Sequence, residues 1–245
     1  MKGIVNFPRV LLLGASHTQF GSLNDGWVSK LSGHLVRRCD VLNRGFSGYT
    51  SRSALAALPY ICDSNDNIVC ACIFLGSNDA TSPPSHQHVP LNEYSANLKK
   101  ICLYFKQNLT ISLSNIIIIT PTVYDQDASR KHCIEHYHKF DDLRSNSIIE
   151  KYSSACVDVA NALNTDYINF FSLISRKSNW KDYLSDGLHL SKLGNDFLYS
   201  LVMEKIDVKL SKYPLILPDH KVLNPKEPET TICDWVEDHN NLSLN

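Results

Sequence analysis

Two distant segments are best suited to chemistry: Gly14-Ala15-Ser16-His17-Thr18 near the start, and Ser185-Asp186-Gly187-Leu188-His189-Leu190 near the end. Serine is a poor nucleophile at its free pKa and needs an adjacent base. A histidine oriented by a carboxylate is such a base, and the spacing of Asp186 and His189 lets one short loop present both. Between them lie two segments with amide donors, Asn43-Arg44-Gly45-Phe46-Ser47-Gly48-Tyr49-Thr50 and Gly76-Ser77-Asn78-Asp79. Nucleophile, base and donors for a developing oxyanion are together the equipment of acyl transfer. Taken singly, each piece is ordinary: a loop serine, a turn glycine, an Asn-Asp helix cap, and an Asp–His capping pair.

What raises them above that reading is the elements they follow. Five short β-like runs are expected, at Val10 to Leu13, Asp40 to Asn43, Ile68 to Leu75, Ile116 to Thr120 and Tyr167 to Phe170. Most are near-continuous apolar runs, the pattern of strands buried on both faces of a parallel sheet. Helical spacing occupies the intervals. Leu98, Ile101, Cys102 and Phe105 share one stripe of a helix from Leu91 to about Asn108. Tyr152, Cys156, Val159, Ala160 and Leu163 share another, from about Arg144, and a third helix starts at a Ser191 N-cap and carries Leu193, Phe197, Leu198, Leu201 and Val202. Strands alternating with helices predict an α/β fold, a three-layer doubly wound sheet of about five parallel strands. Ligands bind such sheets at the carboxyl ends of the strands, and each polar segment above follows a strand or precedes the last helix. All would share one rim.

The chain has 245 residues, 43% hydrophobic and 20% charged, with a formal net charge of -1. That balance fits an ordinary globular domain and gives no field directed at nucleic acid. No segment approaches the roughly 18 apolar residues of a membrane helix, and Val10 to Leu13 is too short for a signal-peptide core. The eight cysteines fall mainly in apolar or helix-periodic positions and read as buried thiols, so a reduced, cytoplasmic setting is expected. One domain is expected over 1–213. Over 214–245, Pro214, Pro218, Pro225 and Pro228 break any helix and predict an extended, acidic tail, which wraps the domain or contacts a partner, a homodimer being one such arrangement.

With these blocks in place, the chain resembles the SGNH (GDSL) hydrolase family, and within it the isoamyl acetate-hydrolysing esterase group. The likeness runs through Asn43-Arg44-Gly45-Phe46-Ser47-Gly48-Tyr49, Val89 to Leu98, Ile119 to Thr122 and Tyr183 to Leu190, with Gly194-Asn195 following, and covers roughly residues 8 to 218. The resemblance implies the flavodoxin-like fold of that family and hydrolysis of small, short-acyl esters. It implies Ser16 as nucleophile, His189 as base, Asp186 as its orienting partner, and an oxyanion hole from the N–H groups of Ser16 and Gly48 and the Asn78 amide. No metal or organic cofactor is required. The chain departs from the family pattern at Ala15, where the motif carries Asp. That Asp is not a triad member, but it supports the loop holding the serine. A carbohydrate or lipid O-deacetylase, and a binding protein with an impaired site, are the alternative readings.

Other candidates carry less. His132, His136 and His138 lack a carboxylate or cysteine at ligand spacing and read as a solvated face. Gly14 to Gly21 matches neither a dinucleotide nor a P-loop pattern. Phe20, Phe46 and Tyr49 flank the site blocks and either line an acyl or alcohol pocket or pack in the core.

Overall fold

A computed structural model describes residues 6–138, 140 and 143–240. Five strands form the sheet: β1 (Arg9–Gly14), β2 (Asp40–Gly45), β3 (Ile68–Phe74), β4 (Ile116–Ile119) and β5 (Asp166–Ile168). Their order is β2-β1-β3-β4-β5 and every pairing is parallel. Val10 to Leu13 and Ile116 to Ile119 are buried throughout, as strands covered on both faces must be. The α/β expectation therefore holds, with flanking helices completing the layers.

Those helices are α1 (Ser16–Gln19), α2 (Trp27–Leu35), α3 (Ser51–Ile61), α4 (Leu91–Asn108), α5 (Gln126–Tyr137), α6 (Asn146–Leu163), α7 (Phe170–Ser175), α8 (Lys192–Lys209) and α9 (Pro228–Asn240). α3, α4 and α6 pack side by side, and α2 packs on α8. The stripe on α4 is fully buried at Leu98, Ile101, Cys102 and Phe105. Ser191 caps α8, its Oγ accepting the Gly194 N–H at 3.2 Å. All eight cysteines are thiols. Burial pushes Cys70 up to about 12 and Cys72 well above the usual thiol range.

Three expectations change. The fifth strand ends at Ile168 instead of running to Phe170, because the Asn169 side chain accepts the Ser172 N–H at 3.1 Å and turns the chain into α7. The helix expected from Arg144 starts at Asn146, since Ser145 is its N-cap and accepts the Ile148 N–H at 3.3 Å. Arg144 is left in the preceding loop. The prolines after residue 214 do not prevent a helix: Pro228 opens α9, at the first helical position, where a missing N–H costs no intrahelical bond. Ahead of it, Ile216 N donates to Arg37 O at 2.7 Å, and the Arg37 guanidinium donates to Leu217 O and Pro218 O, so this segment lies along the end of α2.

The chain order reverses between β1 and β3, and the loops leaving those neighbouring strands carry Ser16 and Asn78. β2 closes against α1 at Gly45, where a Cβ would sit 2.1 Å from the Gln19 backbone nitrogen. Only glycine permits that approach, which seats the first turn of α1 on the sheet edge. Gly45→Ala is therefore expected to destabilise the fold by about 1–3 kcal/mol through overpacking, read as a lower urea midpoint with an unchanged slope.

Candidate active site

Ser16 is the first residue of α1, so its N–H has no carbonyl partner within that helix. The turn is held by the Ala15 carbonyl, which accepts the N–H groups of Thr18 at 3.2 Å and Gln19 at 2.9 Å. Ala15, as the N-cap, makes no side-chain hydrogen bond. Trp27, fully buried in α2, donates its indole N–H to the His17 carbonyl at 2.8 Å and ties the turn to the core.

The Asp186 to His189 turn is built around one carboxylate. Asp186 Oδ1 accepts the backbone N–H groups of Leu188 at 2.9 Å and His189 at 2.7 Å. Its Oδ2 accepts His189 Nδ1–H at 2.6 Å. Burial alone would push the Asp186 carboxyl up, but the His189 ring and these backbone donors outweigh it and hold it well below the usual carboxylate range. Gly187, at φ +86°, presses against α5, where a Cβ would meet Asp125 O and Ser129 N at 2.4 Å. With Nδ1 carrying the proton, His189 Nε2 is the acceptor, and it lies 3.0 Å from Ser16 Oγ. Ser16, His189 and Asp186 thus form one hydrogen-bonded chain.

Gly48 occupies the third position of a turn in which Tyr49 N donates to Phe46 O at 3.0 Å, and its φ of +82° is one that glycine adopts without strain. Ser47 N donates to Gln19 Oε1 at 2.7 Å, linking this turn to α1. Asn78 is buried, and its Nδ2 donates to Tyr49 O at 2.9 Å, so the two amide-bearing loops are joined to each other. Asp79 reinforces the junction: its carboxylate accepts the Ser51 N–H through both oxygens, at 2.9 and 3.1 Å.

A cleft of about 510 Å³ opens beside the serine and histidine. Phe20, Leu23, Tyr137 and Leu190 give it an apolar wall, and Asn24, Lys192 and Asn195 line it as well. Phe20 lies edge-on to His189, with ring centroids 5.6 Å apart. Phe46 and Tyr49 stack on each other at 5.0 Å and are not among the residues lining this cleft. His132 and His136 stack on the outer part of α5, and no cluster of potential metal ligands occurs among the described residues.

His17 is a site neighbour that the sequence did not single out; only its place beside Ser16 pointed to it. It is buried against Phe74, and its Nε2–H donates to Leu188 O at 3.0 Å, inside the Asp186–His189 turn. Burial first, and then the neighbouring His189, lower its pKa to about 4.

Comparison with known proteins gives a consistent result. The family model for GDSL-like lipase/acylhydrolase matches residues 10–202. The human isoamyl acetate-hydrolyzing esterase 1 homolog is 40% identical over 231 residues, spanning 92% of each chain. The isoamyl acetate-hydrolyzing esterase of Saccharomyces cerevisiae is 30% identical, over 94% of this chain and 95% of its own. Among solved structures, the lipase/acylhydrolase from Enterococcus faecalis superposes with a TM-score of 0.67 at 19% identity, over 85% of this chain and 98% of its own. An acetyl-xylooligosaccharide esterase mutant from Geobacillus superposes with a TM-score of 0.61 at 22% identity, over 81% of this chain and 93% of its own. These last two are similar in fold.

His17 also makes stability depend on pH. The unfolded chain protonates it near 6.5 and the folded chain only near 4. Between those values the unfolded state holds more protons, so His17 costs stability as pH falls, reaching about 3 kcal/mol at the lower limit. Asp79 acts in the opposite sense. Burial pushes its carboxyl up to about 6, against 3.8 unfolded, so its contribution to stability is greater when pH falls through that window. The expected outcome is a difference: comparing His17→Gln with wild type by urea unfolding, the gap should move toward the variant by about 3 kcal/mol from pH 7 to pH 4. A gap that ignores pH would mean that His17 is not held neutral.

Proposed function

The chain belongs to the GDSL-like lipase/acylhydrolase family and is a carboxylic ester hydrolase, and from that premise we propose that Ser16 is its nucleophile and small, short-acyl esters its substrates. The observation carrying the reading is the continuous chain Ser16 Oγ, His189 Nε2, His189 Nδ1, Asp186 Oδ2, with links of 3.0 and 2.6 Å across the His189 ring.

In this mechanism Ser16 Oγ attacks the ester carbonyl while its proton passes to His189 Nε2. Asp186 keeps the imidazole in the tautomer that can accept that proton and stabilises the imidazolium that forms. The tetrahedral oxyanion is received by the N–H groups of Ser16 and Gly48 and by the second N–H of Asn78 Nδ2, the first being engaged by Tyr49 O. Each such donor is worth about 3–4 kcal/mol in the transition state. His189 then returns the proton to the leaving alcohol as the C–O bond breaks, giving an acyl-enzyme. Water, deprotonated by the same His189, attacks the acyl carbonyl, and Ser16 leaves with that proton as the carboxylic acid departs.

The names of the relatives support an acetate-like acyl group, and the apolar wall of Phe20, Leu23, Tyr137 and Leu190 suits the hydrocarbon part of such an ester. Eight thiols suit a reduced, cytoplasmic setting. Among the described residues no helix is long and apolar enough to cross a membrane.

Ala15 favours a second reading, in which the same site is catalytically impaired, because the α1 N-cap lacks the side-chain acceptor that Asp would provide. The 3.0 Å Ser16–His189 approach supports the active form. Turnover of p-nitrophenyl acetate is expected to fall about ten-thousandfold in Ser16→Ala and His189→Ala, and by a similar factor in Asp186→Asn, which presents the wrong tautomer. Wild-type protein should bind a fluorophosphonate covalently at Ser16. Equal rates in wild type and Ser16→Ala would remove the assignment. An unlabelled Ser16 would favour the impaired form, and a gain on Ala15→Asp would locate the impairment. A panel varying acyl length and alcohol separates small esters from carbohydrate or lipid O-acetyl groups.

A further inference from the structure

We propose that Arg144 and Gln87 are positioning residues of the oxyanion hole: they fix which end of the Asn78 amide faces the reacting carbonyl and anchor the Gly48 loop in the same step. The proposal rests on the reading of Ser16 as nucleophile and of Asn78 as an oxyanion donor.

An asparagine side chain is nearly symmetric in shape and opposite in chemistry at its two ends. Turned one way it gives an N–H to a developing oxyanion; turned the other, it presents a second oxygen and repels it. Something must choose. Arg144 Nη2 lies 3.4 Å from Asn78 Oδ1, and a guanidinium can only donate, so that end of the amide must be the oxygen. On the other end Nδ2 donates to Tyr49 O at 2.9 Å, which only a nitrogen could do. The two contacts agree, and they leave one N–H of Nδ2 for the site.

The same Nη2 donates to Gln87 Oε1 at 3.1 Å, and Gln87 Nε2 donates to Gly48 O at 3.0 Å. Gln87 thus carries the hold on Asn78 across to the glycine that supplies the second donor. Arg144 Nε donates to Ser77 O at 3.2 Å, so the guanidinium plane is fixed at two corners. The arginine is itself held by its place in the chain, one residue before the Ser145 cap of α6. Its charge reaches the centre, since it contributes, after burial and His189, to lowering the His17 pKa. An arginine does not deprotonate in the working range, so the orientation it imposes is insensitive to pH. The hydrogen bonds described above run from Arg144 to Ser77, Asn78 and Gln87, so its proposed action on the site passes through Asn78 and Gln87.

The test is a double-mutant cycle on p-nitrophenyl acetate hydrolysis, with Arg144→Ala, Asn78→Ala, the pair, Gln87→Ala and Ser16→Ala. Arg144→Ala is expected to lower kcat by about 10- to 100-fold with KM changed less than about twofold, since the contact matters where charge develops. In the Asn78→Ala background, adding Arg144→Ala should cost less than about threefold, because the amide it orients is gone. Gln87→Ala, which leaves the arginine charge in place, should lower kcat in the same direction without moving the pH profile. Guanidinium ion should restore part of the Arg144→Ala activity. Should Arg144→Ala melt below the assay temperature, Arg144→Lys takes its place in the cycle, because an ammonium keeps the charge but cannot hold the three acceptors in one plane. An equal loss in both backgrounds, or a raised KM at unchanged kcat, overturns the proposal. Ser16→Ala separates the two levels: if it keeps wild-type activity, the reading of the site falls, whereas if it is inactive and Arg144→Ala is not, only the positioning role falls.

Discussion

One carboxylate gathers three N–H groups within a four-residue turn, and the geometry of the site follows from it. Asp186 accepts from the Leu188 and His189 backbone and from the His189 ring, so the backbone of the turn and the tautomer of its imidazole are set together. With Nδ1 committed as a donor, Nε2 has only acceptor capacity to offer Ser16. The turn in turn leans on its surroundings. His17 holds the Leu188 carbonyl from the Ser16 side, and Asp125 N donates to Gly187 O at 2.8 Å from α5.

The parallel sheet explains why such distant residues can meet. Strands that all point one way deliver their following loops to one edge, and the reversal of strand order between β1 and β3 leaves a crevice there. Cross-links between the loops then close the arrangement: Ser47 to Gln19, Asn78 to Tyr49, and Asp79 to the start of α3. The departure at Ala15 is tolerated in geometry because the α1 turn is fastened by its backbone, by Trp27 and by the close seat at Gly45, independently of a capping side chain.

Continuous apolar runs such as Val10 to Leu13 and Ile116 to Ile119 announce buried parallel strands directly, and the α4 stripe is as plain, because burial and period reinforce each other there. Phe170 shows the limit: it is fully buried, as a strand residue would be, yet a local Asn169 cap places it in a helix. Pro228 misleads in the other direction, being a breaker in general and an opener at the first helical position. Ser16, Asp186 and His189, which the fold joins by hydrogen bonds, could be singled out as candidates because acyl transfer calls for those residue types. Arg144 and His17 could not, since each acts through hydrogen bonds to partners far along the chain, with no period or motif to mark them.

The cysteines of β3 give the molecule an internal clock. Cys70 and Cys72 lie in a central strand between β1 and β4, sealed from water, with their thiols held in the unreactive protonated form. An alkylating reagent can reach them only when the middle of the sheet comes apart. Their modification therefore counts the rare openings of the whole structure, while Cys62, Cys133 and Cys233, partly exposed, report on the periphery at ordinary conditions.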